Sequence, residues 1–215
     1  KKKDYFCIME ELKQFGVIPV DVAALETVFS SYSFPQKKIT TLEQTGKLIR
    51  LKRGLYVVAP GVSGRILSEE LIANHLYGAS YVSMETALRY YGLIPENVYT
   101  VTSMTLKLTK YYENSVGKFE YIHCAKNYYS IGIRQVTHED YAFQLASPEK
   151  ALCDLIAYTP KLRLRTVKSV RFFLEEDLRF DMDAFYNLDA TIFEQCSLVS
   201  KKKTDLQNLV KLLKK

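Results

Sequence analysis

Few residues in this chain sit at spacings that do chemistry. His75, His123 and His138 stand apart from one another and from any cysteine that could join them. His123 is next to Cys124, but neighbours on a strand point to opposite faces, so the two cannot act as a pair. Cys7, Cys124, Cys153 and Cys196 are scattered with no CxxC spacing, so they read as reduced thiols of a cytoplasmic protein, not as a zinc site. Glu149, Lys150 and Asp154 are the one acidic group worth testing as a nuclease-like metal set. A simpler reading is available. Glu149 lies in a first helical turn, where a carboxylate meets the helix dipole, and Lys150 and Asp154 form an i,i+4 pair. There is no Gly-rich phosphate loop, no GxSxG and no HExxH. No catalytic residue, metal or cofactor is expected.

The chemistry that remains is cationic. "KLIRLKRGLYVV" places Lys47, Arg50, Lys52 and Arg53 around two β-prone runs. Gly54 supplies the positive φ that a tight or bulged hairpin needs. From Gln36 to Tyr56 there are six cations against one acid, Glu43. The net charge of the chain is +6, and it is unevenly spread. Residues 1–60 hold ten Lys/Arg against six Asp/Glu, residues 61–150 eight against nine, and residues 151–215 twelve against nine. The excess sits at the two ends, as nucleic-acid binding would use it. Sixteen Tyr and no Trp are present. "RYYG", "KYYEN" and "KNYYS" are expected to pack at seams with their hydroxyls in water, more than to stack on bases.

Three helices are expected to position the hairpin. Tyr5, Ile8, Met9, Leu12 and Phe15 mark an amphipathic helix over 4–15, ended by Gly16. Asp21 caps a second, with Val22, Leu25, Val28 and Phe29 on its apolar face. Ser33 and Pro35 start a third, with Ile39 and Leu42 as the buried pair and Gly46 as the stop. Its exposed face carries Gln36, Lys37, Lys38, Thr40, Thr41 and Gln44. Three helices followed by a basic hairpin is the order of a winged helix-turn-helix. "APGVSGR" marks a boundary, giving a DNA-binding domain over 1–60 and a second domain over 61–215. In the second, "SEELIANHL", "YVSMETALRYYGLI" and "SPEKALCDLIAY" read as helices. "NVYTVTSM", "KFEYIHCA", "SIGIRQV" and "YAFQLA" read as strands, and the remainder is helical. The fold class is α+β, a winged helix-turn-helix followed by a mixed α/β domain with a helical C-terminus. The leucine stripe of "DLQNLVKLLKK" is expected to close the C-terminal core. No apolar run reaches membrane-spanning length, and Glu10 and Glu11 interrupt the basic start, so neither a span nor a secretory signal is expected.

"GKLIRLKRGLYVV", "YVSMETALRYYGLIPENVYTVTS" and "SPEKALCDLIAY", in that order and spacing, resemble the AbiEi family of antitoxins. These are transcriptional regulators of type IV toxin–antitoxin (abortive infection, phage defence) systems in bacteria. The resemblance covers roughly residues 5–160, and the segment from the helix through "GLIP" into the strand is its most specific part. It implies that the N-terminal domain binds double-stranded DNA at inverted repeats in its own promoter and acts as a repressor. It implies that the larger domain carries the antitoxin activity against a nucleotidyltransferase-like toxin, which a type IV antitoxin need not bind directly. By motif position, Lys37, Lys38, Thr40, Thr41 and Gln44 would face the groove, and Arg50, Lys52 and Arg53 would form the wing. The alternative is a nuclease-like enzyme that uses the N-terminal module only to dock on DNA.

Overall fold

The computed structural model describes the backbone of residues 2–214, with side chains from residue 8 onward. The side chains of Tyr5 and Cys7 lie outside the described residues. The chain opens with α1 (Lys2–Lys13), β1 (Val20–Asp21), α2 (Val22–Val28), α3 (Pro35–Gln44), β2 (Leu48–Lys52) and β3 (Leu55–Val58). The Asp21 carboxylate accepts from Ala24 N at 2.8 Å and so starts α2 within a residue of β1. β1, β3 and β2 make an antiparallel sheet in that order. Ile8 and Leu12 from α1, Leu25 and Phe29 from α2, and Ile39 and Leu42 from α3 bury against Leu48, Tyr56 and Val58. Val62, on the one-turn α4 (Pro60–Ser63), completes this core. The small unit therefore reaches past residue 60 by a turn of helix.

The second unit runs α5 (Glu69–Leu76), β4 (Ser80–Val82), α6 (Met84–Tyr90), β5 (Thr100–Thr105), β6 (Lys110–Glu113) and β7 (Lys118–His123). It continues with α7 (Lys126–Tyr129), β8 (Ile133–Thr137), β9 (Ala142–Ala146) and α8 (Pro148–Tyr158). Then come α9 (Val167–Phe172), which widens into a π-helical turn at Phe173–Asp177, α10 (Met182–Tyr186), α11 (Ala190–Val199) and α12 (Lys203–Leu213). The strands form one mixed sheet, ordered β6-β7-β5-β4-β9-β8, with β5/β7 and β4/β9 parallel. The overall class is α+β. The leucine stripe of α12 closes the C-terminal core as expected, with Leu206, Leu209 and Leu212 buried. β6 lies within "KYYEN", where no strand was expected. No described helix is long and apolar enough to cross a membrane.

The β2–β3 hairpin has two buried faces. Leu48, Tyr56 and Val58 enter the small core, whereas Leu51, Leu55 and Val57 belong to the large one. Val17 joins the large core too. Asn114 Nδ2 donates to Leu51 O at 3.1 Å, tying the β6–β7 turn to the hairpin. The Arg65–Asp140 ion pair ties the connector to the β8–β9 turn. The two units thus share one hairpin as a common wall.

Candidate nucleic-acid interface

Pro35 occupies the first turn of α3, and Phe34, not Ser33, is the residue before it. Ile39 and Leu42 face the core at 3 and 4% exposure. Gln36, Lys37, Thr40, Thr41 and Gln44 are all exposed. Their spacing (i, i+1, i+4, i+5, i+8) lays them along one stripe of the helix, opposite the buried pair. The hydroxyl protons are used internally: Thr40 Oγ1 donates to Gln36 O at 3.0 Å and Thr41 Oγ1 to Lys37 O at 2.9 Å. Each threonine therefore offers a methyl group and an accepting oxygen outward. Lys37 rests over the Phe34 ring at 4.7 Å and Lys38 over Tyr32 at 5.2 Å, and Lys38 is half-buried. Glu43 is half-buried beside the stripe. It pairs with Arg50 at 3.8 Å. The acid is thus drawn off the exposed face.

Lys47 is half-buried at the entry to β2, and Arg50 is exposed on the strand. Arg53 is exposed at the tip, beside Gly54 at φ 78°. Lys52 is placed differently from its expected position in the wing. A bulge between Arg50 and Lys52 sets two β2 residues against one of β3. The extra residue turns Lys52 toward the second unit, where its ammonium donates to Leu76 O, the last carbonyl of α5, at 2.5 Å. Burial, and then repulsion from Lys107 and Lys110, hold its pKa below the usual lysine value. Lys107 donates to Gly78 O close by. Lys52 thereby serves the carbonyl end of α5, and Lys107 the turn just after it.

Two groups at this surface were not expected from the sequence. Phe34 is 65% exposed next to the stripe; a large apolar residue just before a helix-starting proline, with no core position to fill, was the available signal. Lys107 and Lys110 come from the β5–β6 region and had no local signal, because only the folded hairpin brings Lys52 to them. Chemically, the α3 stripe and the hairpin present amides, accepting hydroxyls and cations, and the one acid among them, Glu43, is half-buried and paired with Arg50. That inventory suits phosphates and base edges.

The residues considered for catalysis are spoken for elsewhere. His75 Nδ1 lies 3.0 Å from Leu71 O, His123 Nδ1 3.0 Å from Lys107 O, and His138 stacks on Tyr141. Cys124, Cys153 and Cys196 are free thiols, all buried, and burial pushes the Cys124 thiol up to about 12. Glu149 is buried and accepts from Asp189 N at 3.1 Å. Lys150 and Asp154 form the expected i,i+4 pair, at 3.1 Å, but the pair has no exposure at all. Tyr81 and Ser83 donate to Asp154 Oδ2 at 3.0 and 2.6 Å, and Lys150 donates to Tyr128 O at 2.8 Å. Tyr121 and Tyr128 are fully buried, so several of the abundant tyrosines are core residues and not seam residues. Among the described residues no three His, Cys, Asp or Glu converge as a metal site would require. No protein-family model matches this chain, and no curated protein matches it significantly.

Proposed function

We propose that this chain is a DNA-binding autorepressor and antitoxin of a bacterial type IV toxin–antitoxin system. The observation that carries the DNA-binding part is the exposed polar and cationic stripe of α3 on a helix whose Glu43 pairs with Arg50 of the β2–β3 hairpin. The order α1-β1-α2-α3-β2-β3, with the sheet order β1-β3-β2, suits a winged helix-turn-helix. In that reading α3 enters the major groove, with Thr41 and Gln44 at base edges and Lys37 and Lys38 at the backbone. Arg53 meets a phosphate from the wing, Arg50 supports it from the strand, and Lys47 flanks the entry. Lys52 is reassigned from DNA contact to holding the hairpin on the second unit.

The antitoxin part rests on the resemblance of the three motifs, two of which lie in the second unit. The counterpart is a nucleotidyltransferase-like toxin, countered with or without a direct complex, and the site of action is the cytoplasm. The reading includes no catalytic step and no cofactor. An enzyme that only docks through the N-terminal unit would have to find other acids, because Glu149 and Asp154 are buried and already partnered.

The test is fluorescence anisotropy with the DNA immediately upstream of the gene, against a scrambled duplex, over a salt series. Tight, salt-sensitive binding that favours the upstream duplex is expected. Equal binding to both duplexes at physiological salt would remove the autorepressor reading.

A further inference from the structure

The basic excess at the C-terminal end of the chain gathers around one cavity, far in sequence from α3. The segment after α8 and the turn before α12 border an open cavity of about 610 Å³. Arg163, Arg165, Lys201, Lys202 and Lys203 line it, with Asp205 as the one acid.

The walls are held by buried polar groups, the one acid among them. The Asp205 carboxylate is turned into the protein, where Oδ1 accepts from Leu164 N at 3.0 Å. Asn208 Nδ2 donates to Leu164 O at 2.9 Å, and the Leu164 side chain is buried. Leu164 is thus fixed at backbone and side chain, and the arginines on either side of it line the cavity. Lys202 is also committed: its ammonium donates to Ile156 O, Thr159 O and Leu162 O at 2.9, 2.7 and 3.0 Å, closing the end of α8. Arg163, Arg165, Lys201 and Lys203 are exposed, and none of them pairs with a carboxylate among the described residues. Burial first and Arg163 second lower the Lys202 pKa, and Asp205 acts in the opposite direction. Four like charges held at one opening repel one another, and an anion relieves that repulsion.

We propose that this cavity is a binding site for a phosphate-bearing ligand carrying more than one phosphate. Arg163 and Arg165 supply planar forks that match phosphate oxygens, and Lys201 and Lys203 supply point charges. The volume falls within the range of small-ligand pockets, so more than one phosphate fits. The site is independent of the DNA-reading surface and does not rest on it.

The experiment is titration calorimetry of the full chain with sodium tripolyphosphate at low salt. The comparison set is the unmodified protein, Arg165→Gln/Lys203→Gln, the single Arg163→Gln, and Lys118→Gln on β7 as a control outside the cavity and outside the DNA-reading surface. One-to-one binding is expected, weakened about tenfold or more by the double change, less by Arg163→Gln, and unchanged by Lys118→Gln. All the altered side chains are exposed, and thermal midpoints check that the fold is kept. ATP and a short single-stranded oligonucleotide are then added as competitors. Displacement by ATP assigns the site to nucleotides, displacement by the strand assigns it to a nucleic-acid backbone, and displacement by neither confines it to inorganic polyphosphate. No binding at millimolar tripolyphosphate, equal affinity in the unmodified and double-variant proteins, or an equal loss with Lys118→Gln would overturn the proposal.

Discussion

Lys150 and Asp154 sit one turn apart on α8 with no exposure, and three elements of the second unit meet at them. Tyr81 reaches Asp154 from β4, Ser83 from the turn into α6, and Tyr128 receives Lys150 at the end of α7. The ammonium also lies 3.3 Å from the Tyr128 ring centroid. Removing one partner of a buried pair strands the other charge, a loss of about 3–5 kcal/mol. Lys150→Met is therefore expected to lower stability by that amount in denaturant unfolding. Adding Asp154→Asn removes the stranded charge while keeping an acceptor for Tyr81 and Ser83, so the double variant should recover part of the loss. Additive losses in this cycle would mean that the two side chains do not act as a pair. At the surface the same scale governs Arg53. It is exposed at the hairpin tip and has no acid beside it, so Arg53→Ala should weaken binding to all duplexes alike and lower the salt slope by about one unit. A loss confined to the upstream duplex would assign it to base reading instead.

At the scale of elements, α3 was legible because a short helix with two apolar residues three apart has only one way to bury them. Ile39 and Leu42 point inward, and the polar stripe follows by geometry. In the proposed reading, the residues of α3 that meet bases can be separated from those that meet phosphates. Gln44→Ala and Thr41→Val are expected to change which base pairs the protein prefers, by about 1–3 kcal/mol at the affected position, with little change in salt slope. A selection from randomised duplexes would show this, and an unchanged preference would place α3 outside the groove. The hairpin was legible as a hairpin but not as a wall. Strict alternation from Arg50 predicts Lys52 on the same face, and the bulge at Leu51 cancels that alternation. β6 was missed for a related reason. An edge strand with Lys110 and Tyr111 exposed shows no apolar alternation, so its pairing with β7 is visible only in three dimensions. The pair on α8 was found by its spacing, but i,i+4 spacing is the same on a solvated face and in a core. Burial was decided by Tyr81, Ser83 and Tyr128, 22 to 73 residues away in sequence.

At the scale of the molecule, the hairpin makes the two units mechanically one. Leu51, Leu55 and Val57 lie in the large core while Leu48, Tyr56 and Val58 lie in the small one, on strands only four or five residues long. Neither unit can lose its packing on this sheet without exposing the opposite face of the same strands. Thermal unfolding of the intact chain is therefore expected to be a single transition seen alike by far-ultraviolet circular dichroism and by calorimetry. Leu51→Ala removes packing only from the large-core side, a loss of about 2–5 kcal/mol. If the shared sheet transmits that loss, native-state hydrogen exchange should quicken in α2 and α3 as well as in β4 and β5. The small unit would then open with the large one. Exchange that quickens only in the second unit, or two separate transitions in the unmodified chain, would show that the hairpin is a contact and not a coupling. That outcome also matters for the proposed DNA surface. If the units are coupled, anything that shifts the packing of the second unit on Leu51 and Lys52 moves the base of the wing. Operator affinity of the Leu51→Ala protein should then fall even though Leu51 is buried and cannot touch DNA. An affinity unchanged at a temperature where the variant is fully folded would confine the two units to separate roles.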